Sequence, residues 1–146
     1  MKTPELFFGV NPITYPQKKG AKKKGKPVNL GKVAIWNEYG TEDIPPRPAF
    51  RMGLDFAIKK HKKLMDAQLK NITQRILSGR KDEIVRSLTV VLTQIGRSAE
   101  AHTKELIKNG SVSPSNAPST ILRKGFDHPL KETGLLMKNI KYEVRQ

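Results

Sequence analysis

The chain has 146 residues, 36% hydrophobic and 28% charged, a balance that fits one globular domain (1–146) and argues against a wholly disordered chain. Lysine and arginine number 28 against 13 acidic residues. The resulting formal charge of +15 favours polyanionic surroundings (nucleic acid, anionic lipid or an acidic protein surface) without choosing among them. Cysteine is absent, which excludes disulfides, a thiolate metal site and a cysteine nucleophile.

No stretch approaches the roughly 20 apolar residues that a membrane-spanning helix needs. The opening "MKTPELFFGV" is too short and too interrupted for a secretory apolar region. A soluble chain made in the cytoplasm, with no membrane partner, is expected.

"ELFFGV" (Glu5–Val10) reads as a strand ended by the turn-prone Asn11-Pro12. The stretch "KKGAKKKGK" then carries Lys18, Lys19, Lys22, Lys23, Lys24 and Lys26 with two glycines and no acid. Like charges repel and glycine loosens the backbone, so an exposed basic loop is expected between the first two strands. This loop could meet a polyanion or a partner protein, or be solvated only. Its match to the G-x-x-x-x-G-K spacing of a phosphate loop fails, because Pro27 replaces the hydroxyl residue and no helix follows.

"KVAIWNEYG" (Lys32–Gly40) reads as a second strand, with Val33, Ile35, Asn37 and Tyr39 on one face and Ala34, Trp36 and Glu38 on the other. A proline corner follows, "IPPRPAF", in which Pro45, Pro46 and Pro48 stiffen the chain around Arg47. Glu38 and Arg47 could pair across that corner. Pro48 suits the first turn of a helix, where its missing N–H costs nothing.

From about Ala49 to Leu77 the residues Leu54, Ile58, His61, Met65, Leu69, Ile72 and Ile76 step by three or four, the stripe of an amphipathic helix. After "SGRKD", with Asp82 as N-cap, a second stripe runs from Ile84 through Val91, Ile95 and Ala99 to Leu106. An antiparallel hairpin of two long helices is expected, a single kinked helix being the other possibility. His61 and His102 fall on these stripes, either as a pair able to bind metal or sense pH, or each satisfied by a neighbour.

"NGSVSPSNAPS" (109–119) reads as a flexible loop, Thr120 as the cap of one short turn ended by Gly125, and "LLMKNIKYEV" (Leu135–Val144) as a third strand. The predicted class is α+β: a small, mostly antiparallel sheet packed against two long helices in β-β-α-α-β order. No serine elbow, carboxylate pair or metal-ligand cluster marks a catalytic centre, so neither an enzyme nor a cofactor is expected.

Two segments carry a family likeness. The first is a strand ending Asn37, Glu38, Tyr39, Gly40 and Thr41, then Ile44, Pro45, Arg47, Pro48 and Phe50 at the start of a long helix. The second holds Pro118, Thr120 and Lys124, then Pro129, Leu130, Thr133 and Gly134 before a closing strand. In this order, on either side of a helical region, they resemble the tail-completion and head–tail joining proteins (tail terminators and neck proteins) of tailed bacteriophages.

The resemblance implies an α+β subunit that closes into a ring with its own copies, usually a homohexamer, in the virion neck after assembly in the host cytoplasm. Such a ring terminates the tail tube, joins it to the head connector protein, or does both. Its work is structural, and DNA passes through its bore. In that frame the corner residues brace the subunit or meet its neighbour, Phe50 anchors a core or interface, Thr120 and Thr133 cap or turn, and Lys124 is a surface contact. The alternative drawn from charge alone is a basic DNA-binding protein without sequence specificity, acting in packaging or compaction. A free peptide ligand carrying "IPPRP" fits less well, because the corner is wedged between two structured elements.

Overall fold

The structure is a computed structural model that describes residues 2–14, 28–131 and 133–146. Two strands and six helices follow one another: β1 (Glu5–Val10), α1 (Leu30–Tyr39), α2 (Ala49–Lys60), α3 (Lys62–Leu77), α4 (Lys81–Lys108), α5 (Pro118–Lys124), α6 (Leu135–Asn139) and β2 (Ile140–Arg145). β1 and β2 pair as a small antiparallel sheet. The α+β class holds. The order does not, and the lysine loop Lys18–Lys26 lies outside the described residues.

The largest correction is α1, where the sequence predicts a strand. Asn29 accepts a hydrogen bond from the Gly31 N–H (2.7 Å) and so caps the first turn. The buried residues Leu30, Ala34 and Glu38 recur every fourth position, a helical stripe. Ile35, Trp36 and Tyr39, which made the segment look strand-like, stand exposed. Gly40 ends the helix with φ +80° while its N–H donates to the Trp36 carbonyl (2.9 Å). A Cβ there would stand 2.9 Å from the Ile44 carbonyl oxygen, so glycine is required on two counts.

A second correction lies at the C-terminal end. Only the later half of the predicted third strand is extended, as β2, and Leu135–Asn139 is the short helix α6. Gly134 in the left-handed region opens it, and Thr133 Oγ1 accepts from the Leu135 N–H (3.3 Å).

By packing, the chain divides into two compact units, residues 1–8, 50–103 and 142–146 in one and 9–49 and 104–141 in the other. In the first, Ala57, Val91, Ile95 and Ala99 form a core against which Leu6, Phe8, Leu54, Leu64 and Met65 pack. Full burial of each large aliphatic side chain stabilises by about 1.5–3 kcal/mol. The two long stripes do form a hairpin. Arg75 bonds the Glu83 carbonyl, His61 lies against Ser98, and a Cβ on Gly53 would collide with the Thr103 hydroxyl. As one stripe rises the other descends, which is antiparallel packing. The first stripe is broken at His61 into α2 and α3. Leu6 and Tyr142, one from each strand, lie over Gly96 of α4.

The two stripe histidines are held separately. His61 Nε2 is 2.7 Å from Ser98 Oγ, and His102 stacks on Phe56 with ring centroids 3.8 Å apart. α3 buries no residue, and Leu69, Ile76 and Leu77 remain exposed on it.

In the second unit the buried apolar residues are Leu30, Ala34, Ala49, Ile107, Val112, Leu136 and Ile140. The last turn of α4 closes there through the Ser111 N–H to the Leu106 carbonyl (3.0 Å), with Gly110 at positive φ.

Candidate functional site

The proline corner is a hydrogen-bonded turn. Thr41 Oγ1 accepts from the Ile44 and Asp43 N–H groups (3.1 and 3.3 Å), and the Thr41 N–H donates to the Ile44 carbonyl (2.8 Å). Asn37 works at both ends of its residue. Its side-chain amide donates to the Val33 carbonyl (2.8 Å), and its carbonyl accepts from the Arg47 N–H (2.5 Å). Prolines 45, 46 and 48 offer no N–H, so these few bonds fix the path. Pro48 stands directly before Ala49, the first residue of α2, as the sequence predicts.

Arg47 is 7% exposed. Its Nε donates to the Pro114 carbonyl (2.7 Å) and its Nη2 to the Ser115 carbonyl (2.9 Å). Those partners replace the Glu38 pairing that the sequence suggested. Burial lowers the guanidinium pKa, and the carboxylate that acts against this is Asp127. Charge-assisted bonds to backbone carbonyls are about twice as strong as neutral ones, which makes this the main polar tie of the corner.

The segment that receives Arg47 is itself fixed. Asp127 Oδ1 accepts from the Asn116 N–H (2.9 Å) and from its side-chain amide (3.0 Å). The backbone bond from Asn116 is the largest cause holding the Asp127 carboxyl below its usual pKa. α5 starts at Pro118 after Ala117, so Thr120 is not its cap; it sits inside the helix, half-buried. Gly125 closes α5 in the left-handed conformation, with its N–H on the Ile121 carbonyl (2.8 Å).

Residues from both predicted motifs therefore meet. A cavity of about 470 Å³ is lined by Asn37, Ile44, Pro45 and Arg47 of the first and by Thr120, Lys124 and Leu130 of the second. Asn116 and Arg123 also face it, although the sequence analysis did not single them out; Val33 and Leu136 add apolar wall. Leu130 has φ +63°, the one non-glycine residue at positive φ among the described residues. For a bulky side chain this is a strained conformation.

Other predicted residues stand apart from the cavity. Tyr39 is 69% exposed, Glu38 is buried, and Pro118 and Thr133 are exposed. Phe50 packs its ring against Phe8 (5.5 Å between centroids), which fits its expected anchoring part. Pro129 is buried, and its neighbour His128 lies edge-on to Phe126 with a buried Nδ1 that has no hydrogen-bond partner among the described residues.

Among the described residues no group of three or more His, Asp or Glu side chains is placed to hold a metal ion, and no helix is long and apolar enough to cross a membrane. The chain matches no protein-family model, no curated protein and no solved structure.

Proposed function

We propose that this chain is a structural subunit of a ring at the neck, or at the head-proximal end of the tail, of a tailed bacteriophage. The observation that carries the reading is that the two segments resembling the tail-completion and head–tail joining family are tied together, Arg47 to the carbonyls of Pro114 and Ser115. The work is assembly rather than catalysis and needs no cofactor. The partners are other copies of the chain, the tail-tube protein, the head connector, or both of the latter, and the ring surrounds DNA in the virion. The exposed Ile35, Trp36 and Tyr39 of α1 supply an apolar face of the kind that a neighbouring subunit covers.

The charge of +15 favours a second reading, a non-specific DNA-binding protein. Light scattering during size-exclusion chromatography, together with a salt-titrated DNA shift, separates the two. A closed oligomer with little DNA affinity at physiological salt supports the ring. A monomer or dimer whose DNA affinity falls steeply with salt, by about 0.9 log units per log unit of salt for each phosphate contact, supports the alternative.

A further inference from the structure

The cavity beside Arg47 has the makings of a binding site in its own right. Its volume of about 470 Å³ falls within the range of ligand sites, on the order of 300–1,000 Å³. Three cationic side chains line it, Arg47, Arg123 and Lys124, against the one carboxylate of Asp43. Arg47 is held in place by two carbonyls, so little side-chain freedom remains to be lost when an anion arrives. Opposing these charges are the apolar side chains of Val33, Ile44, Leu130 and Leu136. Leu130, one of those wall residues, is held at positive φ, and strain of this kind gathers at ligand clamps.

We propose that this cavity binds an acidic, partly apolar peptide segment of a partner protein, its carboxylates taken by Arg47, Arg123 and Lys124 and its apolar side chains by Val33, Ile44 and Leu136. Guanidinium groups suit carboxylates because their N–H donors match the two oxygens in one plane. A nucleic acid fits the cavity less well. Strand-binding grooves offer aromatic rings for bases to stack on, and no aromatic residue lines this one. The site does not depend on the ring reading, since a peptide-binding cavity would serve any assembly in which this chain takes part.

The test is fluorescence anisotropy with the full chain and a labelled peptide of sequence Leu-Asp-Leu-Glu, its ends blocked. A version in which Asn and Gln replace the two acids serves as comparison, and an oligothymidylate serves as competitor. The acidic peptide should bind at least tenfold more tightly than its amide version. Its titration should shift the methyl resonances of Val33, Ile44 and Leu136. The Arg123→Gln/Lys124→Gln variant, checked for an unchanged circular dichroism melt, should lose about tenfold in affinity. Replacing all six loop lysines from Lys18 to Lys26 by Gln should leave peptide binding unchanged. Equal binding of the two peptides, no binding, or full affinity in the Arg123→Gln/Lys124→Gln variant overturns the proposal. So do methyl shifts confined to other residues, loss of binding in the loop variant, and displacement of the peptide by oligothymidylate at matched ionic strength.

Discussion

Arg47 donates from Nε to the Pro114 carbonyl at 2.7 Å across 67 positions of sequence, and from Nη2 to the next carbonyl, that of Ser115. One buried guanidinium thus joins a proline corner to a distant loop. Both carbonyl acceptors are backbone atoms, so the link depends on the arginine and not on the identity of its partners.

Arg47→Ala should cost about 2–4 kcal/mol of stability, because two hydrogen bonds from a charged donor contribute about 1.5–3 kcal/mol each before the freed carbonyls take up water. Arg47→Lys keeps the charge but lacks the planar fork that reaches both oxygens, so its loss should be smaller. Urea unfolding of the three proteins gives the order. Equal stability of wild type and Arg47→Ala would remove Arg47 as the tie.

Gly53 tests packing against propensity. Alanine in a helix interior is favoured over glycine by about 1 kcal/mol. At this site a Cβ would collide with the Thr103 hydroxyl and lie 2.9 Å from the Ala99 carbonyl oxygen. Overpacking of this kind costs about 1–3 kcal/mol, so Gly53→Ala should lower the melting temperature despite the propensity gain. Thr103→Ala should recover part of the loss when added to it. A melt raised by Gly53→Ala alone would show that α2 and α4 can separate at little cost.

Asp127 should give the stability a pH dependence of known sign. Its folded pKa lies below the ordinary 3.8, chiefly through the Asn116 backbone bond. A depressed carboxyl contributes fully above its unfolded pKa, and the contribution is lost as pH falls through the lower folded value. The stability gap between wild type and Asp127→Asn, read from urea midpoints, should be flat from neutral pH to about pH 5 and shrink below about pH 4. A gap that widens in acid would contradict the assignment.

The apolar face of α1 leads to a surface prediction. Ile35 is 59% exposed and Tyr39 is 69% exposed. Changing both to glutamate should leave the monomer's circular dichroism melt nearly unchanged, since exposed positions away from caps and cores usually shift stability by less than about 0.5 kcal/mol. In the ring reading the same variant should sediment as a smaller species than wild type. An unaltered oligomer would place the subunit contact elsewhere.

The long helices were legible because their buried positions repeat at helical spacing and their buried side chains are apolar. Val91, Ile95 and Ala99 form a stripe that needs no tertiary information. α1 was not legible in the same way. Its buried stripe contains Ala34 and Glu38, while its conspicuous apolar residues, Ile35 and Trp36, face outward. Hydrophobicity therefore pointed to the wrong period, and the usable signals were local ones, Asn29 before the helix and Gly40 after it. The corner and the second segment were both visible as motifs. Their meeting was not, because the partners of Arg47 are carbonyl groups, which leave no trace in side-chain pattern. For the same reason the bond from Asn116 to Asp127 and the place of Arg123 in the cavity could be found only in three dimensions.

The most direct test of the account is native mass spectrometry of wild type beside Arg47→Ala, with folding of the variant checked by circular dichroism. Wild type should appear as a closed oligomer, six times the 16.4 kDa chain in the ring reading, and folded Arg47→Ala should appear as the single chain. A wild type that stays at one chain mass at every concentration, or a variant that forms the same oligomer as wild type, would contradict the claim that the braced corner builds a ring subunit.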